Sequence, residues 1–339
     1  MVLIAIDPHK STHTAVAVDE QGALLEQRRV GAREQGELLR WAHRWPQRRW
    51  AIEGAHGLGH QLAQWLVAEG EAVVDVPASL VRRVRLLAVG DKTDLLDARA
   101  TAEAALRAEA LHPVLAEDER MVLRLLSDRR DELTEERTRT VNRLHRLLRE
   151  LVPGGAPVKL TADVASRLLR GRRPRGVADG MRRELAQQLV EDVRRLDREL
   201  KKNEQRLAKV LSEQGSELTR HVGIGVILAA KLVGRSGPIE RFPSVDHYVA
   251  YTGTAPLAAS SGETTRHRLS RRGDRQLNRA LHMAALTQAR MPSSAGYAYM
   301  QRRRAEGKSY REALRCLKRH LARVVYRQLV ADQRLAAAA

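Results

Sequence analysis

Residues 2–30 read VLIAIDPHKSTHTAVAVDEQGALLEQRRV, and the rhythm of this stretch decides the fold class of the N-terminal part. Val2–Ile6 is an unbroken apolar run, as in a strand buried on both faces. Thr12–Val18 alternates as a strand does, Glu20-Gln21-Gly22 is a turn signal, and Ala23–Val30 returns as a third strand. Outward from there, helices are expected over Glu34–His43, Gly57–Glu69 and Asp94–Ala110. Strands are expected over Arg49–Glu53 (RWAIE) and Ala72–Val76 (AVVDV).

A three-strand meander followed by alternating helices and strands is the order of a ribonuclease-H-like fold, shared with other mixed-sheet folds. Three domains are expected: an α/β unit over 1–112, a helical coiled-coil region over 113–215 and a mostly helical unit over 216–339. In the middle region Leu189, Val193, Leu196, Leu200, Asn203, Leu207 and Val210 alternate spacings of four and three, a seam with one core Asn. Leu126–Leu151 carries a poorer repeat broken by Arg130 and Arg137, and it pairs with that seam either as a hairpin or across protomers. Pro153-Gly154-Gly155 and Arg167–Gly176 (RLLRGRRPRG) read as loops. His221–Gly234 (HVGIGVILAAKLVG) opens a helix with a Gly-x-Gly turn, either a phosphate cradle or a core helix start. Leu314–Val330 is an amphipathic closing helix.

The chain has 339 residues, 43% apolar and 30% charged, the balance of a folded globular protein. Lys plus Arg number 60 against 41 acids, a net charge of +19 that points to a polyanionic partner. A GC-rich genome explains 51 Arg against 9 Lys but not the positive excess. That excess is uneven: net −1 over residues 1–110, +6 over 111–215 and +14 over 216–339. Phosphate contacts are therefore expected mainly from the last third, with binding that weakens steeply in salt. Eleven aromatic residues are too few for a protein built on base stacking. A single cysteine, Cys316, excludes intramolecular disulfides and Cys-rich zinc sites. With no apolar run of membrane-spanning length and no signal-peptide pattern, a cytoplasmic location, at the nucleoid when acting, and no membrane partner are expected.

Four acids stand where a metal centre would use them. Asp7 ends the first strand, Glu53 ends RWAIE ahead of GAHGLG, and Asp94 and Asp97 share one face of a helix start in KTDLLDA. Clustered carboxylates repel unless a cation sits among them, and hard oxygen donors select Mg²⁺ or Mn²⁺. Two such ions clamp the attacking and leaving oxygens of a phosphodiester. Singly, each acid has a plainer reading: Asp94 as a helix N-terminal acid beside a Thr93 N-cap, Asp7 as a turn cap, Glu53 as an Arg partner. Asp75 and Asp91 fall off the pattern and are expected to be structural.

The most unusual stretch is Tyr251–Leu281, YTGTAPLAASSGETTRHRLSRRGDRQLNRAL. Ser260-Ser261-Gly262 precede Arg266, Arg268, Arg271, Arg272, Arg275 and Arg279. Serine is a weak nucleophile until its proton is removed or its alkoxide stabilised, and guanidiniums around it would hold a scissile phosphate. A Ser/Gly loop leading into a basic helix is the plainer reading.

Together, IDPHK, AIEGAHGLG, GDKTDLLDA, GIG, RFPSVDHYVAYTGTAP and SSGETTRHRLSRRGDRQLNRAL make the chain resemble one family over nearly its whole length. It is similar to the insertion-sequence one-ten transposases, the DEDD transposases also described as bridge-RNA-guided serine recombinases. The resemblance implies a RuvC-like ribonuclease-H domain, a coiled-coil spacer and a C-terminal transposase domain. It implies that Asp7, Glu53, Asp94 and Asp97 bind Mg²⁺ or Mn²⁺, and that Ser261, with Ser260 the neighbouring option, is the nucleophile. It implies a covalent 5′-phosphoserine intermediate, target and donor DNA, a non-coding guide RNA, and a homo-oligomer, dimer or tetramer. High Arg and few aromatics suit a protein that leaves sequence reading to RNA pairing. The expected function is excision and insertion of a mobile element; the alternative is a junction-resolvase-like nuclease using water as nucleophile.

Overall fold

Val2–Pro8 (β1) and Thr12–Val18 (β2) are the central strands their apolar runs predict, each buried at every position after the first. The structure, a computed structural model, describes residues 1–86, 93–171, 173–258, 267–268 and 273–338. β1 and β2 pair antiparallel, with Asp7 opposite Thr14, and Leu24–Gly31 (β3) closes the meander as an edge strand. β3 is mostly exposed and carries Glu26, Arg28 and Arg29, charges that keep a free edge from recruiting another strand. After Gln35–Ala42 (α1) comes Arg48–Glu53 (β4), parallel to β1; after His60–Ala68 (α2) comes Val73–Val76 (β5), parallel to β4. Ala78–Arg85 (α3) and Asp94–Arg107 (α4) follow, and His112–Pro113 (β6) completes the order β3-β2-β1-β4-β5-β6.

Side-chain alternation sends β1 and β4 residues to two helical layers. Ile4, Ile6, Trp50 and Ile52 pack with Leu38 and Trp41 of α1 and Leu62 and Leu66 of α2. Leu3, Ala5 and Ala51 pack with Val81 of α3 and with Ala98 and Ala102 of α4. A meander continued by parallel crossovers between two helical layers is the ribonuclease-H arrangement that the element order predicted. The sequence reading has no counterpart to α3, because ASLVRRVR buries only Val81 and so lacks an apolar stripe.

The chain divides into two compact units, Met1–Glu117 and Asp118–Ala339. The second opens with Glu119–Leu151 (α5), Ala162–Arg170 (α6) and Val177–Glu213 (α7). Of the two pairings left open for the seam, the structure shows the hairpin: α5 and α7 run antiparallel within the chain. Arg130 Nη1 donates to Leu200 O at 3.1 Å, Arg137 Nε meets Asp197 at 2.5 Å and Arg182 Nε meets Glu150 at 2.6 Å. The arginines that break the α5 repeat thus serve as cross-helix partners for α7. Arg167–Gly176 is not a loop throughout, since Arg167–Arg170 end α6. Leu169 and Ala165 are drawn into a core with Leu144, Leu148 and Val190 at the hairpin's far end.

Asn203 is the polar member of the seam, 5% exposed, and its Nδ2 donates to Leu126 O at 3.0 Å. Its Oδ1 is buried without a partner among the described residues. Asn203→Leu removes that orphan and leaves Leu126 O its own helical bond. The substitution is expected to raise unfolding free energy by about 1 kcal/mol, read from a urea midpoint.

The remaining helices are Val226–Ser236 (α8), Val245–Tyr251 (α9), Arg275–Arg290 (α10), Ala295–Ala305 (α11) and Tyr310–Ala338 (α12). A short antiparallel pair, Leu257–Ala258 (β7) and His267–Arg268 (β8), lies between α9 and α10. Leu123, Leu207 and Leu211 of the hairpin share one core with these helices, and Lys231 Nζ of α8 meets Asp131 of α5 at 2.6 Å. The expected division at residue 215 therefore falls inside the second unit. Gly225 immediately precedes α8, and a Cβ on Gly223 would stand 3.0 Å from Ala284 O of α10, so this Gly-x-Gly turn is packed as a core helix start. Among the described residues no helix is long and apolar enough to cross a membrane.

Candidate metal centre

One residue past the registered pair Ile6–Ile52 stand Asp7, the last residue but one of β1, and Glu53, the last of β4. Both share the parity of Ala5 and Ala51, which pack on the layer of α3 and α4, so both acids are directed to that layer. Asp97 comes from the first turn of α4, 6% exposed, beside buried Ala98. The turn after β4 holds Glu53 in place: Gly54 N donates to Val76 O at 3.0 Å and Ala55 N to Asp75 Oδ1 at 2.7 Å. Asp75 is thus structural, as expected. Within GAHGLG, a Cβ on Gly59 would stand 2.6 Å from Ile52 and 3.1 Å from Pro8, so only glycine lets this turn approach the strand ends.

The three acids are brought into one electrostatic neighbourhood. Burial, opposed by His9 and reinforced by Glu53 and Asp97, pushes Asp7 up to about 6. Burial also raises Glu53, against the pull of Arg85. Arg85 of α3 bridges the other two, with Nη2 2.9 Å from Glu53 Oε2 and Nε 2.8 Å from Asp97 Oδ1. Asp7 Oδ2 is buried without a hydrogen-bond partner among the described residues, and His9 Nδ1 lies 3.6 Å away. Acceptor-only oxygens, one orphaned and two raised in pKa, are the donor chemistry that a hard divalent cation satisfies. As placed, no three His, Cys, Asp or Glu among the described residues form a ligand set, and Arg85 supplies the positive charge between Glu53 and Asp97.

Asp94 stands apart from this group. It is partly exposed, 3.1 Å from Arg29 Nη2 and 3.5 Å from His9 Nε2, so His9 links it to Asp7. Thr93 caps α4, its Oγ1 accepting from Leu96 N at 3.3 Å. Sequence reasoning missed His9 and Arg85. His9 was visible in IDPHK, two residues beyond Asp7, whereas nothing in RRVRL marks Arg85.

In the second unit, Arg275 and Arg279 are exposed on the first turns of α10, without acidic partners among the described residues. Arg268 stands in β8. Ser260, Ser261, Arg266, Arg271, Arg272 and Asp91 lie outside the described residues.

The N-terminal unit is thus a ribonuclease-H fold whose β1 and β4 carry carboxylates facing an acid-bearing helix. A DEDD profile described as a transposase of IS110 type matches residues 4–153, and one described as "Transposase IS116/IS110/IS902 family" matches residues 215–301. The chain belongs to this IS116/IS110/IS902 family of transposases. It is 28% identical to the 44.8 kDa protein of insertion element IS116 from Streptomyces clavuligerus, over 98% of this chain and 96% of that one. It is 27% identical to the transposase for insertion sequence element IS1328 from Yersinia enterocolitica, over 69% of each. Among solved structures, Thermus thermophilus RuvC aligns with a TM-score of 0.28 and 18% identity, covering 34% of this chain and 100% of RuvC.

Proposed function

We propose that this chain excises and inserts a mobile DNA element by serine-mediated strand cleavage and exchange, assisted by the carboxylate site. The observation that carries the reading is the convergence of Asp7, Glu53 and Asp97, with burial and the neighbouring carboxylates holding Asp7 and Glu53 above the usual carboxylate range. Family membership supplies DNA as the substrate class. Asp7, Glu53 and Asp97 would hold Mg²⁺ or Mn²⁺, with Asp94 at the margin. When bound, the ion supplies Lewis-acid stabilisation of charge developing on the phosphate oxygens.

In the cleavage step Ser261 gives up its proton and its Oγ bonds to phosphorus as the P–O3′ bond breaks. The departing 3′ oxygen takes up a proton and leaves as a hydroxyl. The 5′-phosphoserine conserves the bond energy, so a new 3′-hydroxyl rejoins the strand by the reverse step without ATP. Resemblance supports this role for Ser261, together with the docking of Thr252–Gly253 against Asn278, which brings together the two ends of its stretch. The same resemblance supports an element-encoded guide RNA and a dimer or tetramer. Arg266, Arg268, Arg271, Arg272, Arg275 and Arg279 are the proposed phosphate contacts around the serine.

The test is an adduct assay with the full chain, RNA transcribed from the element, Mg²⁺ and end-labelled junction DNA. Label should remain on denatured wild-type protein, disappear in Ser261→Ala and fall sharply in Asp97→Asn. A carboxylate cluster also serves hydrolysis by water. Cleaved DNA without adduct, indifferent to Ser261→Ala and Ser260→Ala, would establish the nuclease reading instead.

A further inference from the structure

Basic residues of the second unit form two populations. Some on the hairpin are neutralised: Arg129 pairs with Glu132 and Glu199, and Arg195 with Glu136 and Glu199. Where α11 packs on α12 the balance changes. Tyr299 stacks on His320 with ring centroids 5.1 Å apart and 16° between planes. The guanidinium carbons of Arg302 and Arg303 lie 5.3 and 5.1 Å from the Tyr299 ring centroid. Arg323 and Arg327 follow His320 by three and seven residues, which puts them on its face of α12. Burial and then the field of Arg327, Arg302, Arg323 and Arg303 hold His320 below its ordinary value.

Two acids meet these four guanidiniums. Glu306 pairs with Arg303 at 2.7 Å and Asp246 with Arg323 at 2.9 Å. Arg302 and Arg327 are exposed and have no acidic partner among the described residues. Like charges gathered this closely cost free energy that a polyanion recovers. The Tyr299 ring is already occupied by His320 and by the guanidiniums, so it offers no open face for an unpaired base. That favours the backbone of a duplex over a single strand.

We propose that this face of α11 and α12 binds the phosphodiester backbone of duplex DNA, with Arg302 and Arg327 as its phosphate contacts. The inference rests on the reading of the chain as a DNA-acting transposase. The experiment measures binding of the full chain to a random-sequence DNA duplex by fluorescence anisotropy, over about 50–200 mM salt. Arg302→Gln/Arg327→Gln should make the slope of log K against log salt shallower by about 1.8 and weaken binding at the low-salt end. Arg129→Gln/Arg195→Gln removes the same charge from paired positions and should keep the wild-type slope. Thermal melts of both doubles confirm that the fold is intact. Indistinguishable slopes for the two doubles, or a wild-type slope for Arg302→Gln/Arg327→Gln, would overturn the proposal. So would an unchanged duplex-DNA slope accompanied by lost binding to structured RNA, which would assign the face to RNA. Wild-type protein that binds no duplex DNA at all would overturn the underlying transposase reading as well.

Discussion

An Asp7→Asn protein is expected to melt higher than wild type without metal, to show no further gain with Mg²⁺ or Mn²⁺, and to cleave DNA on the order of 10³-fold more slowly. The combination follows from one geometry. Asp7 is 8% exposed, its Oδ2 is orphaned among the described residues, and Glu53 and Asp97 add negative charge beside it. Folding raises its pKa from 3.8 to about 6, so ionising it opposes folding. The sign is that of any acid with a raised folded pKa: the penalty is absent below 3.8 and complete above about 6. At neutral pH, relief of that penalty by an isosteric amide should add roughly 1–2 kcal/mol, a few degrees in melting temperature. Wild type gains instead from a bound cation, by mass action. The readouts are a melt with and without metal, and strand cleavage. A metal-dependent melting shift that survives Asp7→Asn would remove Asp7 from the ligand set.

Gly273→Ala should cost about 3 kcal/mol of stability and abolish the serine-dependent adduct. Gly273 has φ of +93°, where a Cβ alone costs roughly 1–2 kcal/mol. Its Cβ would also stand 2.5 Å from Tyr251 O and 2.7 Å from Gly253 N, backbone atoms that no rotamer change can move aside. This contact joins the end of α9 to the start of α10. Asp274 N donates to Tyr251 O at 2.8 Å, while Asp274 Oδ1 caps α10 through Gln276 N and Leu277 N. Asn278 Nδ2 donates to Thr252 O and Gly253 O, and buried Lys318 donates to Asn278 Oδ1 at 2.6 Å. Displacing Gly273 therefore disturbs both ends of the stretch that contains Ser261. Denaturant unfolding gives the stability loss and the adduct assay the chemical one. A stable Gly273→Ala protein with normal adduct would sink the claim that this junction matters.

Much of the first unit was legible because its strands sit at the centre of a sheet. A strand covered on both faces must be apolar throughout, as Val2–Ile6 is, and an acid ending such a run is conspicuous. Asp7 and Glu53 could thus be picked out, and the three-residue spacing of Asp94 and Asp97 put both on one helical face. That spacing could not show how α4 is rotated against the sheet. Rotation brings Asp97 toward Asp7 and Glu53 and leaves Asp94 partly exposed, bound to Arg29 and His9. Arg85 was invisible for a related reason: α3 is short and basic, with one buried side chain, and its bridge to Glu53 and Asp97 exists only once helix and sheet have packed.

In the second unit the seam periodicity announced two long helices, yet periodicity is indifferent to whether the partner helix is in the same chain. The hairpin was decided by tertiary contacts that neutralise Arg130 and Arg137 against α7. Charge behaved likewise. Sequence alone established the basic excess of the last third, because net charge is a sum over residues. Which arginines remain free is a property of distance, and folding pairs Arg129 and Arg195 while leaving Arg302 and Arg327 without acids among the described residues. Residue type and local period determined the strands, the long helices and the acids that end the strands. Helix rotation, close backbone approach at Gly59 and Gly273, and the partners of each charge were decided by tertiary structure. Those depend on interactions between atoms far apart in the chain, which local pattern does not encode.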